Sequence, residues 1–138
     1  MVKVRHSGIV VRDLKESLDF YRYLGFRTVN DDVETGEFID NILGFEKCEV
    51  RTVKMICDGK QMIELLEYRN PESPDFTKLI NSIGCSHLAL TVDNLELLYE
   101  NLIKKGVDFV NPPCSNEKVK VAFCIDPNDV YLELVEEL

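Results

Sequence analysis

His87-Leu88-Ala89-Leu90-Thr91-Val92-Asp93-Asn94-Leu95 restates an earlier stretch of the same chain, His6-Ser7-Gly8-Ile9-Val10-Val11-Arg12-Asp13-Leu14. These contain the only two histidines. From each histidine a valine lies five residues on (Val11, Val92), a leucine eight on (Leu14, Leu95) and a glycine nineteen on (Gly25, Gly106). Each half then closes on a glutamate phrase, Met62-Ile63-Glu64-Leu65-Leu66-Glu67 in the first and Tyr131-Leu132-Glu133-Leu134-Val135-Glu136 in the second. The chain therefore reads as two copies of one unit, each supplying one histidine and one matching glutamate.

Working outward, Lys3 to Val11 is rich in branched apolar residues and reads as a strand that stops at Arg12-Asp13. Asp13 as N-cap, with Glu16 three residues later, predicts a helix carrying Leu14, Leu18, Phe20, Tyr21 and Leu24, which Gly25 ends. In the second half Asp93 and Glu96 begin the corresponding helix, Leu95, Leu98, Tyr99 and Leu102 form its apolar stripe, and Gly106 ends it. Extended segments follow at Phe26–Val29, Val50–Cys57 and Gln61–Tyr68, and again at Val107–Val110, Val119–Ile125 and Val130–Val135. Asp58-Gly59 and Pro127-Asn128-Asp129 supply turns between strands. Each half is thus β-α-β-β-β. Asn30 to Glu49 reads as an insertion in which Thr35 caps a short helix running to Leu43, with Gly44 after it. The segment 70–84, holding Pro71 and Pro74, reads as a linker with a short helix near Phe76–Ile80. The expected organisation is one α+β domain over 1–138, with module 1 at 1–69, the linker at 70–84 and module 2 at 85–138.

At 138 residues the chain is long enough to bury a core without staples. Sixteen basic against twenty-five acidic residues give a net charge of −9, which repels a phosphate backbone and excludes nucleic acid as a natural partner. No apolar run approaches the length of a membrane span, and the polar start lacks a secretory stretch; the expectation is a soluble, cytoplasmic protein with no membrane partner. The five cysteines (Cys48, Cys57, Cys85, Cys114, Cys124) are odd in number and contain no Cys-x-x-Cys pair, so they read as reduced thiols, mostly core residues, and not as nucleophiles.

Glu64 and Glu133 stand inside apolar strands, where an ionised group without a partner costs several kcal/mol. Alternation gives each a face shared with apolar neighbours, Met62 and Leu66 or Tyr131 and Val135. A divalent cation held by His6, Glu64, His87 and Glu133 would compensate that charge. Two imidazole nitrogens and two carboxylate oxygens suit zinc, nickel, cobalt, manganese or iron. Glu67 and Glu136, in the same phrases, read as edge or solvent-facing residues. Phe38, Phe45, Met55, Phe123 and Tyr131 are the candidates for lining a small-molecule pocket.

These residues form a recognisable pattern. His6-x-Gly8-Ile9-x-Val11, Phe20-Tyr21, Leu24-Gly25-Phe26, Ile63-Glu64-Leu65, Ser86-His87-Leu88-Ala89, Val121-Ala122-Phe123, Asp126-Pro127 and Leu132-Glu133-Leu134 occur in order along nearly the whole chain. In this the chain resembles the vicinal oxygen chelate superfamily, which includes glyoxalase I, methylmalonyl-CoA epimerase, extradiol dioxygenases and bleomycin-binding proteins. The resemblance implies paired βαβββ modules forming a half-open barrel around a metal, with His6, Glu64, His87 and Glu133 on the metal-ligand positions, and a homodimer. It also implies a metal-dependent lyase or isomerase that deprotonates carbon beside a chelated carbonyl, with Glu133 or Glu64 as the base. The alternatives are a ring-cleaving dioxygenase and a non-catalytic drug-binding protein. Whether the metal cleft lies within one chain or between two stays open. One departure stands out, since the usual glycine of the family's final Asp-Pro-x-Gly turn is replaced by Asp129.

Overall fold

The computed structural model describes residues 1–59 and 61–138, which divide into two compact units, Met1–Asp75 and Phe76–Leu138. Each unit is a βαβββ module with one four-stranded sheet.

The first unit runs β1 (Ser7–Val10), α1 (Leu14–Tyr23), β2 (Arg27–Thr35), α2 (Glu37–Leu43), β3 (Glu49–Ile56) and β4 (Met62–Asn70). Its sheet order is β1-β4-β3-β2, and the outermost β1 runs parallel to β4 while the other pairs are antiparallel. Asp13 caps α1 as expected, accepting from the Glu16 amide at 2.9 Å. Leu14, Leu18 and Tyr21 form the helix's buried stripe, and the helix packs against β4, whose Ile63 and Leu65 are buried, as are Val53 and Met55 beside them on β3. Gly25 takes φ +100°, letting the Phe26 amide reach back to the Tyr21 carbonyl at 3.0 Å.

Two expectations for the first unit change. The strand after α1 does not stop at Val29 but continues to Thr35, because Asn30 to Thr35 pair with Lys54 to Glu49 and Arg51 donates twice to Asp31 across that pair, at 3.0 and 2.8 Å. A polar sequence is what an edge strand tolerates, since one side of its ladder stays open. Thr35 therefore ends a strand and caps nothing; the position before α2 is Gly36, without a side-chain cap, while Gly44 closes the helix at φ +72°. Ile39 of α2 packs on Cys48 and Val50, with Leu66 and Tyr68 beside them. α2 thus covers one end of the sheet face opposite α1.

The second unit runs β5 (His87–Thr91), α3 (Leu95–Lys104), β6 (Cys114–Ser115), β7 (Val119–Ile125) and β8 (Tyr131–Glu137), in the order β5-β8-β7-β6, again with the first strand parallel to the last. Leu95, Leu102, Ala122, Cys124, Leu132 and Leu134 are its core. The N-cap of α3 is Asn94, which accepts from the Leu97 amide at 3.0 Å, and not Asp93; two capping residues in succession left the register to the backbone. Gly106 repeats the closure seen at Gly25, with the Val107 amide bonded to the Leu102 carbonyl. Val107–Val110 makes only a single bridge, Phe109 to Cys124, and the third strand is the short β6 beyond Pro112-Pro113. No helix forms at Phe76–Ile80. Among the described residues no helix is long and apolar enough to cross a membrane. All five cysteines are free; Cys48 and Cys124 are buried, whereas Cys85 and Cys114 are exposed.

Candidate functional site

The glutamate phrases divide their work between the two faces of each closing strand. Ile63, Leu65 and Glu67 point toward α1; Met62, Glu64 and Leu66 point the other way. Glu67 is not solvent-facing as its surroundings suggested. Its Oε2 accepts from the Leu14 amide at 2.9 Å, and Glu136 Oε2 accepts from the Leu95 amide at 2.7 Å. Both amides are first-turn donors with no partner inside their helix, and a carboxylate there also meets the positive end of the helix dipole. Reasoning from the sequence missed this role, although the repeat that singled out Glu64 and Glu133 includes Glu67 and Glu136 equally.

On the opposite face, each unit brings its own histidine and glutamate together. His6 Nε2 stands 2.8 Å from Glu64 Oε2, and His87 Nε2 stands 3.1 Å from Glu133 Oε2. Strand register explains the match: Gly8 lies beside Glu64 and Ala89 beside Glu133, so each histidine falls two residues before its glutamate's cross-strand neighbour, on the same face. Among the described residues, no third histidine, cysteine, aspartate or glutamate joins either pair to make a metal-binding group.

The donors suit a cation. Two ligand atoms each about 2.1 Å from one ion, at a right angle, stand about 3.0 Å apart. Both pairs have that spacing, which serves equally for a hydrogen bond when the proton sits on Nε2. Ser86 Oγ lies 2.5 Å from His87 Nδ1 and can accept its proton, turning the Nε2 lone pair toward Glu133. In that tautomer the Nε2 lone pair and the Glu133 carboxylate face each other as two acceptors, an arrangement that a shared cation would satisfy. His6 Nδ1 is buried and has no hydrogen-bond partner.

Of the pocket candidates, Phe123 stacks edge-on against His87 with ring centroids 5.3 Å apart, and Tyr131 shares Glu133's face. Met55 is a core residue with no exposure. Phe38 and Phe45, on and just after α2, are exposed.

The Glyoxalase/Bleomycin resistance protein/Dioxygenase superfamily model matches residues 3–134, and the chain belongs to that family. It is 29% identical to the lactoylglutathione lyase of Schizosaccharomyces pombe over 98% of its own length, but spans only 47% of that enzyme. It is 25% identical to the uncharacterized protein YwkD of Bacillus subtilis, covering 97% of this chain and 96% of that protein. Among solved structures, a glyoxalase family protein from Bacillus cereus superposes with a TM-score of 0.93 at 21% identity, covering 100% and 95% of the two chains. The trypanothione-dependent glyoxalase I of Leishmania major gives 0.73 at 20% identity, covering 99% and 87%.

Proposed function

We propose that the protein is a metal-dependent lyase or isomerase of the glyoxalase or epimerase type, acting on carbon next to a chelated carbonyl of a small molecule. The observation that carries this reading is the repeated His–Glu pair, His6 with Glu64 and His87 with Glu133, at the same strand register in both units. The four side chains together would hold one divalent ion, of zinc, nickel, cobalt, manganese or iron, from one chain or from two copies in a homodimer. When bound, the ion would polarise the carbonyl oxygen and offset the charge that develops there.

The protein's own groups would do the rest. Glu133 is the better placed base: its side chain is 27% exposed against 12% for Glu64, which His6 and Lys54 both approach. Glu133 would take the proton from the substrate carbon and return it to the neighbouring position, or, in an epimerisation, Glu64 would supply a proton from the opposite face; positioned proton transfer is worth about 10² to 10⁴ in rate. Phe123 and Tyr131 would flank the substrate and limit water. Such an enzyme would work in solution in the cytoplasm.

The test is to strip the protein with a chelator, add back each divalent ion, count bound metal by elemental analysis, and assay α-proton exchange on hemithioacetal and acyl-CoA substrates. Exchange that depends on the metal and disappears in Glu133→Gln is expected. No exchange with any ion rejects the reading. Oxygen uptake with a catechol and ferrous iron would replace it by ring cleavage.

A further inference from the structure

The two units match at their histidines and glutamates but differ in charge at a register position beside each glutamate. In the first sheet the residue paired with Glu64 across β3 and β4 is Lys54; in the second, the residue paired with Glu133 is Phe123. Both lie on the face that carries the His–Glu pair. Phe123 packs on the imidazole of its unit, whereas Lys54 Nζ stands 3.9 Å from Glu64 Oε1, at the outer limit of an ion pair, with 30% of the side chain exposed. Its neighbour on β2 is Asn30, so the ammonium has no second carboxylate from the adjoining register position.

Charge then decides what Lys54 is for. If Glu64 and Glu133 neutralise one divalent ion, as the proposed function requires, Lys54 leaves the loaded site with one positive charge in excess. A cation held beside an ion of its own sign is unfavourable unless an anion arrives to share it. We propose that Lys54 is a specificity-determining residue: the natural substrate carries a carboxylate next to its chelating oxygens, and Lys54 binds that carboxylate. The inference rests on the metal reading and adds the substrate class to it, a carboxylated carbonyl compound over a neutral one. Phe123 supplies the apolar counterpart on its own sheet.

Two hydroxamates isolate the effect, since both chelate through the same oxygen pair and only one has an extra carboxylate: acetohydroxamate and malonomonohydroxamate. Each is titrated into cobalt-loaded protein and followed by the cobalt visible absorption. The wild type is expected to bind malonomonohydroxamate at least about tenfold more tightly, roughly the value of one well-placed charged hydrogen bond. Lys54→Met and Lys54→Gln should abolish that preference while keeping acetohydroxamate affinity within about twofold, and Lys54→Arg should retain part of it. Equal affinities in the wild type, or the same loss for both ligands in the variants, would overturn the role of Lys54 and leave the metal reading standing. Absence of any cobalt absorption in the wild type would overturn both together.

Discussion

Replacing Glu136 by alanine separates architecture from chemistry more cleanly than any other single change. Glu136 Oε2 is the acceptor for the Leu95 amide at 2.7 Å, and Leu95 is wholly buried. Removing the acceptor strands a buried donor, at about 1–3 kcal/mol, and deletes a favourable charge at a helix N-terminus, at about 0.3–1 kcal/mol. Allowing for water reaching a half-buried site, about 2 kcal/mol of stability should go. With a urea slope of about 1–3 kcal/mol/M, the unfolding midpoint falls by about 1 M. Glu136→Gln keeps an oxygen acceptor and should lose about half as much. Cobalt affinity of the folded protein should not change, because Glu136 and Glu133 face opposite sides of β8. Glu133→Gln should show the reverse pattern, with stability within about 0.5 kcal/mol of the parent and cobalt binding lost. An unaltered midpoint in Glu136→Ala would refute the capping argument, as would a cobalt loss equal to that of Glu133→Gln.

Three other outcomes are expected. Asp129 holds φ +62° at the turn before β8, so Asp129→Gly should match or exceed wild-type stability and Asp129→Val should fall below Asp129→Gly by about 1–2 kcal/mol, as read from thermal unfolding. Burial pushes the Cys124 thiol up to about 12 and raises that of Cys48; a thiol reagent at pH 8 should label Cys85 and Cys114 quickly and reach Cys48 and Cys124 only on unfolding, and peptide mapping that finds Cys124 modified in native protein would contradict this. The amide of Cys48, with that of Lys47, holds the Asp40 carboxyl below the usual aspartate range, as the Arg51 guanidinium does for Asp31. Both groups have folded values below their unfolded ones, so the stability they add is present above about pH 4 and is lost as pH falls through the depressed values. Urea midpoints should drop below about pH 4, and less steeply in Asp40→Asn.

Much of this was legible in the sequence because it is local or repeated. Asp13, Gly25 and Gly106 act through their own backbone neighbours, so their reading needs no partner. The matching offsets single out His6, Glu64, His87 and Glu133 as one set; that each histidine meets the glutamate of its own unit is a matter of strand register, which the sequence does not display. What a distant strand decides was harder. The polar run Asn30 to Thr35 is a strand only because β3 lies beside it, and Val107–Val110 stays a single bridge, Phe109 to Cys124, held by the two hydrogen bonds of Asp108 and Val110 with β7. Glu67 and Glu136 looked like surface residues because an orphan helix amide cannot be seen in a strand's own alternation. Lys54 is silent in the sequence for a related reason: its place beside Glu64, where the second unit has Phe123 beside Glu133, appears only when β3 and β7 are compared position by position.

The parallel pairing of first with last strand has a consequence for the timing of assembly. Each imidazole enters at the start of its unit and each carboxylate arrives on the final strand, so neither half-site exists while the chain between them is still being synthesised. Under the proposed function, an ion would therefore find no His–Glu pair in an unfinished unit. On that reading, capture by all four side chains would wait until both units are complete, and the free energy of binding would add to the stability of a chain already folded.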